Sequence, residues 1–175
     1  MGVSVIVHGF IKTLGLSIDE RTQRLHRHNC EVIGALPEFD DEWPFLTRSM
    51  FSLPVLGSTQ EAALSVPHYE SVVIAFGGSY KNLFVLDADW IRKFEQLLSR
   101  LCWDEAYVYN QFSGISYLWE VAMDDTLRNH AQDTPCPPTK WSFECERLNA
   151  GEIAMSDAVD GKYVPVFAEP NGLKK

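Results

Sequence analysis

The stretch AFGGSYKN, residues 75–82, places a glycine pair, a serine and a lysine directly after a run of strand-forming residues. These residue types could hold a phosphate, because phosphate loops use glycine backbone N–H groups and a lysine at the start of a helix. Here the spacing differs, and the next segment turns apolar and then acidic before any helix begins. The sequence therefore predicts that Gly77 and Gly78 mark the end of a central strand, where they provide backbone angles or close approach.

A second group with chemical potential is His26, His28 and Cys30. If this segment is helical, residues four apart share a face, so His26 and Cys30 could act together while His28 points nearly to the opposite side. Zinc sites use three or four protein ligands, and the sequence indicates no third ligand for this pair. We therefore expect a solvated polar helix face here, with no metal and no cofactor.

The chain contains no serine-hydrolase elbow, zinc-protease motif or kinase signature, so no catalytic residue is predicted. Its four cysteines fit no C-x-x-C spacing and are expected to be reduced thiols in or near the core. A small, hydrolase-like enzyme whose site forms only in the folded chain stays an alternative. The candidates for such a site are His8, His68, Cys30 and Lys81.

Acidic and aromatic residues occur together in three segments: EFDDEWPF, residues 38–45; WEVAMDD, residues 119–125; and CWDEAYVYN, residues 102–110. Tryptophan and tyrosine are favoured at binding hot spots, and acidic margins speed the encounter with basic partners. The alternative is that these aromatic residues belong to the core and that the acids form a solvated surface. As partner-binding residues we predict Asp40, Asp41, Glu42 and Trp43, followed by Asp124 and Asp125.

The composition is that of a globular protein of 175 residues, with 46% hydrophobic residues and a net charge of −9. This charge disfavours nucleic acid as a partner, because binding phosphates requires lysine and arginine. No apolar run approaches the roughly 20 residues of a membrane helix, and the N-terminus shows no signal-peptide pattern. We therefore expect a cytoplasmic protein with neither a membrane nor a nucleic acid as its partner.

Hydrophobic periodicity predicts the elements that must position these residues. It indicates strands over residues 3–12, 46–54 and 70–76, a hairpin from residue 105 to 123, a strand over 141–148 and a last edge strand near Pro165. One helix is expected before Pro37, and a stronger one over residues 86–103 carries an apolar stripe that begins at Trp90. The order β-α-β-β-α-β-β-β predicts an α+β fold with a mainly antiparallel sheet and about two helices on one face. We expect one domain over residues 1–168 and a loose tail over residues 169–175.

The stretches RSMFSLP, HYESVVIAFGGSYKNL, WIRKFEQLLSRLCWDEAYVY and YLWEV resemble small proteobacterial proteins. Those proteins belong with the immunity proteins of polymorphic toxin systems delivered by contact-dependent or type VI secretion. The resemblance covers roughly residues 46–121 and rests on structural motifs. It implies a non-enzymatic cytoplasmic protein that binds a cognate protein toxin, a basic nuclease among the classes expected, and blocks its active site. It transfers no functional residue and leaves the oligomeric state open; a structural or phage-derived accessory protein is a further alternative.

Overall fold

The structure is a computed structural model that describes residues 3–14, 20–39, 42–53, 71–83, 86, 88–122, 135 and 137–147. Within these ranges the order of elements is the predicted one. The strands are β1 (Ser4–Leu14), β2 (Phe51–Ser52), β3 (Ser71–Lys81), β4 (Glu105–Asn110), β5 (Ile115–Val121) and β6 (Trp141–Arg147). The helices are α1 (Glu20–Gly34) and α2 (Ala88–Leu98). The predicted last edge strand and the tail over residues 169–175 lie outside the described residues, and the single-domain division stays a prediction.

All six strands form one antiparallel sheet in the order β2-β3-β1-β4-β5-β6. The side chains of one sheet face join both helices in a single buried cluster, which confirms the predicted α+β fold. The opposite face carries Ile6, His8 and Lys81, among others, and is accessible to solvent. We call these two surfaces the helix face and the open face of the sheet.

Strand β1 lies at the centre because it pairs with β3 on one side and with β4 on the other. Its helix-face residues Val5, Val7 and Ile11 are fully buried, as strict alternation requires. Gly9 also lies on this face, and a Cβ atom at Gly9 would collide with the backbone oxygen of Tyr107 and lie 2.8 Å from the ring of Phe76. The absence of a side chain at Gly9 therefore lets β4 and the Phe76 ring approach closely.

The prediction that the glycine pair ends a strand is wrong, because β3 continues through Gly77 and Gly78 to Lys81. Both glycines pair with β1, Gly77 opposite His8 and Gly78 opposite Val7. A Cβ atom at Gly78 would lie 2.9 Å from the side chain of Met50. Of the two roles predicted for the glycines, special backbone angles or close approach, Gly78 therefore has the second: it allows Met50 to pack closely.

The strand predicted over residues 46–54 is largely wrong. The segment forms one turn of 3-10 helix, Arg48–Met50, and pairs with β3 only at Phe51 and Ser52. The Thr47 carbonyl accepts a hydrogen bond from the Met50 backbone N–H at 3.1 Å, a turn that takes the chain out of extended geometry. The turn brings Met50 against the space above Gly78, so packing overrides the strand propensity of this segment.

Helix α2 confirms the apolar stripe predicted for it. The side chains of Trp90, Phe94, Leu97 and Leu98 are buried, and Leu101 is buried just beyond the helix. The Phe94 ring lies 5.1 Å from that of Trp119 and 5.3 Å from that of Phe76, so the stripe contacts the middle of the sheet. Neither helix within the described part of the chain is long and apolar enough to cross a membrane.

Helix α1 contributes Val32 and Ile33 to the core. It also buries Asn29, whose amide donates to the Cys102 carbonyl and whose carbonyl accepts from the Cys102 N–H, both at 2.8 Å. The neighbouring His28 hydrogen-bonds the Arg100 carbonyl at 2.9 Å. Because a carbonyl can only accept, His28 Nε2 carries the proton in this bond. These bonds anchor α1 to the segment that follows α2.

Replacing Gly9 with alanine tests the close approach of β1 and β4. We expect Gly9→Ala to destabilise the fold by about 2 kcal/mol or more, since the added methyl collides with backbone that cannot move freely. The matched control is Gly34→Ala, where nothing lies within 4 Å of the added atom. At this helical position alanine should stabilise by about 0.5–1 kcal/mol. Urea unfolding of both variants measures the difference, and equal stabilities would contradict the packing role of Gly9.

Candidate functional site

Of the predicted partner-binding residues, Glu42 and Trp43 lie in the described part of the chain and both are exposed. Asp40, Asp41, Asp124 and Asp125 lie outside the described residues, so their part in a site stays a prediction. The site can therefore be built from the segment around Trp43. We call the described residues 38, 39 and 42–45 the aromatic loop.

A backbone hydrogen bond joins the residues that flank the aromatic loop. The backbone N–H of Arg48 donates to the carbonyl of Pro37 at 2.9 Å, which joins the two ends of the segment. Pro44, within the loop, is buried, and so is Leu46, the first residue after the loop. These alternating residues face the protein, which directs Trp43 and Phe45 toward solvent.

Two side chains from other elements hold the backbone of the loop. The ammonium group of Lys93, on α2, donates to the carbonyl oxygens of Glu42 and of Pro44, the latter at 3.2 Å. The hydroxyl of Tyr80, at the end of β3, donates to the Phe45 carbonyl and accepts from the Trp90 indole at 2.9 Å. The buried core of the protein is thereby linked by hydrogen bonds to the backbone of an exposed loop.

Large apolar side chains stay exposed on this supported loop. Phe39 is 74% exposed, Trp43 47% and Phe45 41%. The Trp43 and Phe45 rings meet edge to face at 5.2 Å, and the Trp43 ring also lies 6.0 Å from Tyr80. Exposed aromatic side chains flanked by charge are typical of a protein-binding surface. Glu38 and Glu42 supply that charge, since both are exposed.

The tryptophans of the other acidic-aromatic segments have a different role. Trp103 and Trp119 are buried in the core cluster, so the alternative interpretation holds for these two residues. The Trp119 indole donates to the buried carboxyl of Glu95 on α2 at 3.0 Å. These two buried rings are therefore part of the core, Asp124 and Asp125 stay predictions, and the exposed aromatic loop stays a candidate binding surface.

Of the residues proposed for an enzyme site, the three that the structure describes are not brought together. His8 and Lys81 lie on the open face of the sheet, whereas Cys30 lies on α1, which packs on the helix face. His68 lies outside the described residues. Burial, and secondarily the charge of Glu31, raise the pKa of the Cys30 thiol above its ordinary value. A raised pKa lowers the thiolate fraction, which is the opposite of what activates a cysteine nucleophile.

The His26–Cys30 pair forms as the helical spacing predicted, with Cys30 Sγ 3.3 Å from His26 Nε2. The expected solvated face is wrong, however, because His26 is buried and Cys30 is half-buried. Within the described ranges no group of three or more histidine, cysteine or acidic side chains could hold a metal ion. The pair therefore belongs to the packing of α1.

Sequence reasoning missed several residues of the aromatic loop and its support. Phe39 and Phe45 lie in the predicted segment, but only Trp43 was selected among its aromatic residues. Lys93 and Tyr80 were not predicted, because their contacts join residues 49 and 35 positions apart. A lysine on the polar side of α2 gives no sequence signal for such a contact.

Removing the Tyr80 hydroxyl tests the link between core and loop. We expect Tyr80→Phe to destabilise the protein by about 1–3 kcal/mol, because the Trp90 indole and the Phe45 carbonyl lose a buried partner. The matched control is Tyr109→Phe on the open face, whose hydroxyl makes no hydrogen bond among the residues described. Urea unfolding of the two variants compares them; equal effects would show that the hydrogen bonds of Tyr80 do not support the fold.

The reactivity of Cys30 tests its raised pKa. At about pH 8 we expect iodoacetamide to alkylate Cys30 several-fold more slowly than a thiol in an unfolded peptide, because less thiolate is present. Glu31→Gln should speed the reaction by removing a nearby negative charge, whereas the control Glu20→Gln should not. Mass spectrometry of the Cys30 peptide gives the rates. Alkylation faster than that of the peptide thiol would favour the enzyme alternative.

Comparisons with known proteins give no match. No protein-family model matches the sequence, and searches of curated proteins and of solved structures find no similar protein. The resemblance to toxin immunity proteins therefore stays a prediction. The strongest pointers to function are the exposed rings of the aromatic loop and the contacts that hold them.

Proposed function

We propose that this chain is a non-catalytic binding protein, an immunity protein that binds a cognate toxin in the cytoplasm and occludes it. One observation carries the proposal: Phe39, Trp43 and Phe45 are exposed on a loop whose backbone is hydrogen-bonded to buried residues. Aromatic residues in such positions supply the buried contacts that dominate protein–protein affinity. The resemblance of the sequence to immunity proteins supports the same class.

The support of the loop favours tight binding. Ordering a flexible loop on association costs roughly 0.5–1.5 kcal/mol for each immobilised side chain. Lys93 and Tyr80 already hold the carbonyl groups of Glu42, Pro44 and Phe45, so part of that cost is met in the free protein. The aromatic loop can therefore meet a partner with little rearrangement.

The charge of the chain indicates the chemistry of the partner. The net charge is −9, and Glu38 and Glu42 are exposed beside the aromatic rings. An acidic surface accelerates association with a basic protein and repels nucleic acid. A basic toxin, such as a nuclease whose own surface binds phosphates, is the partner class that fits this surface.

A growth assay tests the proposal. The protein encoded beside this one is expressed in a sensitive host, with and without this chain, and the two proteins are co-purified. We expect rescue of growth and a stable complex. Trp43→Ala combined with Phe45→Ala should weaken the complex by about 2 kcal/mol or more, because both hot-spot rings are removed.

The matched control for this double variant is Val3→Ala, which shortens an equally exposed apolar side chain (46%) outside the aromatic loop. It should bind as the unchanged protein does. Reversing Asp40, Asp41 and Glu42 to lysine should slow association while leaving the Lys93 contact intact, because Lys93 binds the Glu42 carbonyl and not its carboxylate. Unchanged affinity in the loop variants would remove this loop from the interface, and absence of both rescue and complex would sink this pairing.

A further inference from the structure

The open face of the sheet has an ordered pattern of side chains. Directly opposed residues of neighbouring strands point to the same face, so the register defines rows that cross β1, β4, β5 and β6. Three such rows are Lys12, Glu105, Glu120 and Ser142; Phe10, Tyr107, Leu118 and Glu144; and His8, Tyr109, Ser116 and Glu146. In each row the β1 end is basic or aromatic and the far end is polar or acidic.

The centre of the open face is aromatic. The rings of Phe10 and Tyr107 stack at 5.6 Å, and those of His8 and Tyr109 meet edge to face at 5.5 Å. All four side chains are exposed or half-buried. On β1 the apolar Ile6 is exposed as well, which extends the patch along the strand. This surface presents partly exposed aromatic rings to a ligand.

Carboxylates border the aromatic centre. Glu105 lies directly opposite Glu120, and like charges in this position destabilise a sheet. Lys12 lies 3.5 Å from Glu105, but Glu120 has no ion pair among the described residues. On the neighbouring edge strand Glu144 and Glu146 are exposed. A bound cation would relieve the repulsion between these carboxylates.

We propose that the open face binds an extended, arginine- or lysine-bearing segment of a partner protein. Its cationic groups lie over the rings of Tyr107 and Tyr109 and contact Glu120 and Glu144. Cations are attracted both to aromatic faces and to carboxylates, so the aromatic centre and the bordering glutamates of the open face favour the same ligand. Among the described residues the open face carries four glutamates and two lysines, so it would repel the same face of a second copy of this chain. It would likewise repel the phosphates of a nucleic acid.

This surface is separate from the aromatic loop. The loop is held by Lys93 of α2 and by Tyr80, whose side chain lies on the helix face. The sheet itself lies between the two surfaces. The second site therefore does not rest on the proposed toxin complex, and each can fail without the other.

The test uses a synthetic peptide of alternating arginine and serine, with binding followed by calorimetry. We expect it to bind the unchanged protein. Glu120→Gln combined with Glu144→Gln should weaken binding about five- to tenfold, through loss of two charge contacts. Tyr107→Leu should weaken it about two- to fivefold, because the ring face is lost while an apolar side chain is kept.

The matched control is Glu20→Gln combined with Glu31→Gln, which changes the net charge equally but removes exposed carboxylates from helix α1. It should bind the peptide as the unchanged protein does, and so should the Trp43→Ala and Phe45→Ala double variant. No binding to the unchanged protein, equal weakening in both glutamine pairs, or loss of binding in the loop variant would each overturn the proposal. A concentration-dependent dimer that blocks the peptide would overturn it as well.

Discussion

The packing of α2 against the sheet is the interaction on which the other features depend. Its apolar stripe packs in the core, and three side chains of the same helix form hydrogen bonds with other parts of the protein. Trp90 donates to Tyr80, Glu95 accepts from Trp119, and Lys93 holds the aromatic loop. A buried carboxyl such as Glu95 is tolerated only with a hydrogen-bonding partner, so Trp119 and Glu95 also restrict how helix and sheet can align. One helix thus sets the core, the sheet contact and the surface loop together.

Much of the fold follows from local pattern. Strand-forming residues identified β1, β4 and β5, alternation identified β6, and the stripe beginning at Trp90 identified α2, whose apolar side is buried. Pattern failed where tertiary contacts decide. The continuation of β3 through Gly77 and Gly78 follows from their pairing with the distant strand β1, and the burial of Asn29 depends on the backbone of Cys102. The sequence around a polar residue on a helix does not indicate whether a distant backbone group will hydrogen-bond its side chain.

In the candidate site, too, some features could be predicted from the sequence and others depend on tertiary contacts. Trp43 could be selected because an aromatic residue amid acids is unusual in a core, and the structure places it at the surface. The same reasoning favoured Trp119, which is buried, because composition does not distinguish a ring that faces the core from one that faces water. The rows of the open face were equally hidden, since they require the register of β4, β5 and β6. Exposure and register arise from pairing between distant segments.

Lys93 donates its hydrogen bonds to backbone oxygens of the aromatic loop. The backbone conformation of the loop therefore does not depend on which side chains stand at these positions. Any residue at position 42 offers the same carbonyl to Lys93, and any residue at position 45 offers the same carbonyl to Tyr80. Substitutions at these positions can therefore alter what the loop recognises without dismantling its framework. The recognition chemistry of the loop can therefore change while Lys93 and Tyr80 keep its backbone in place.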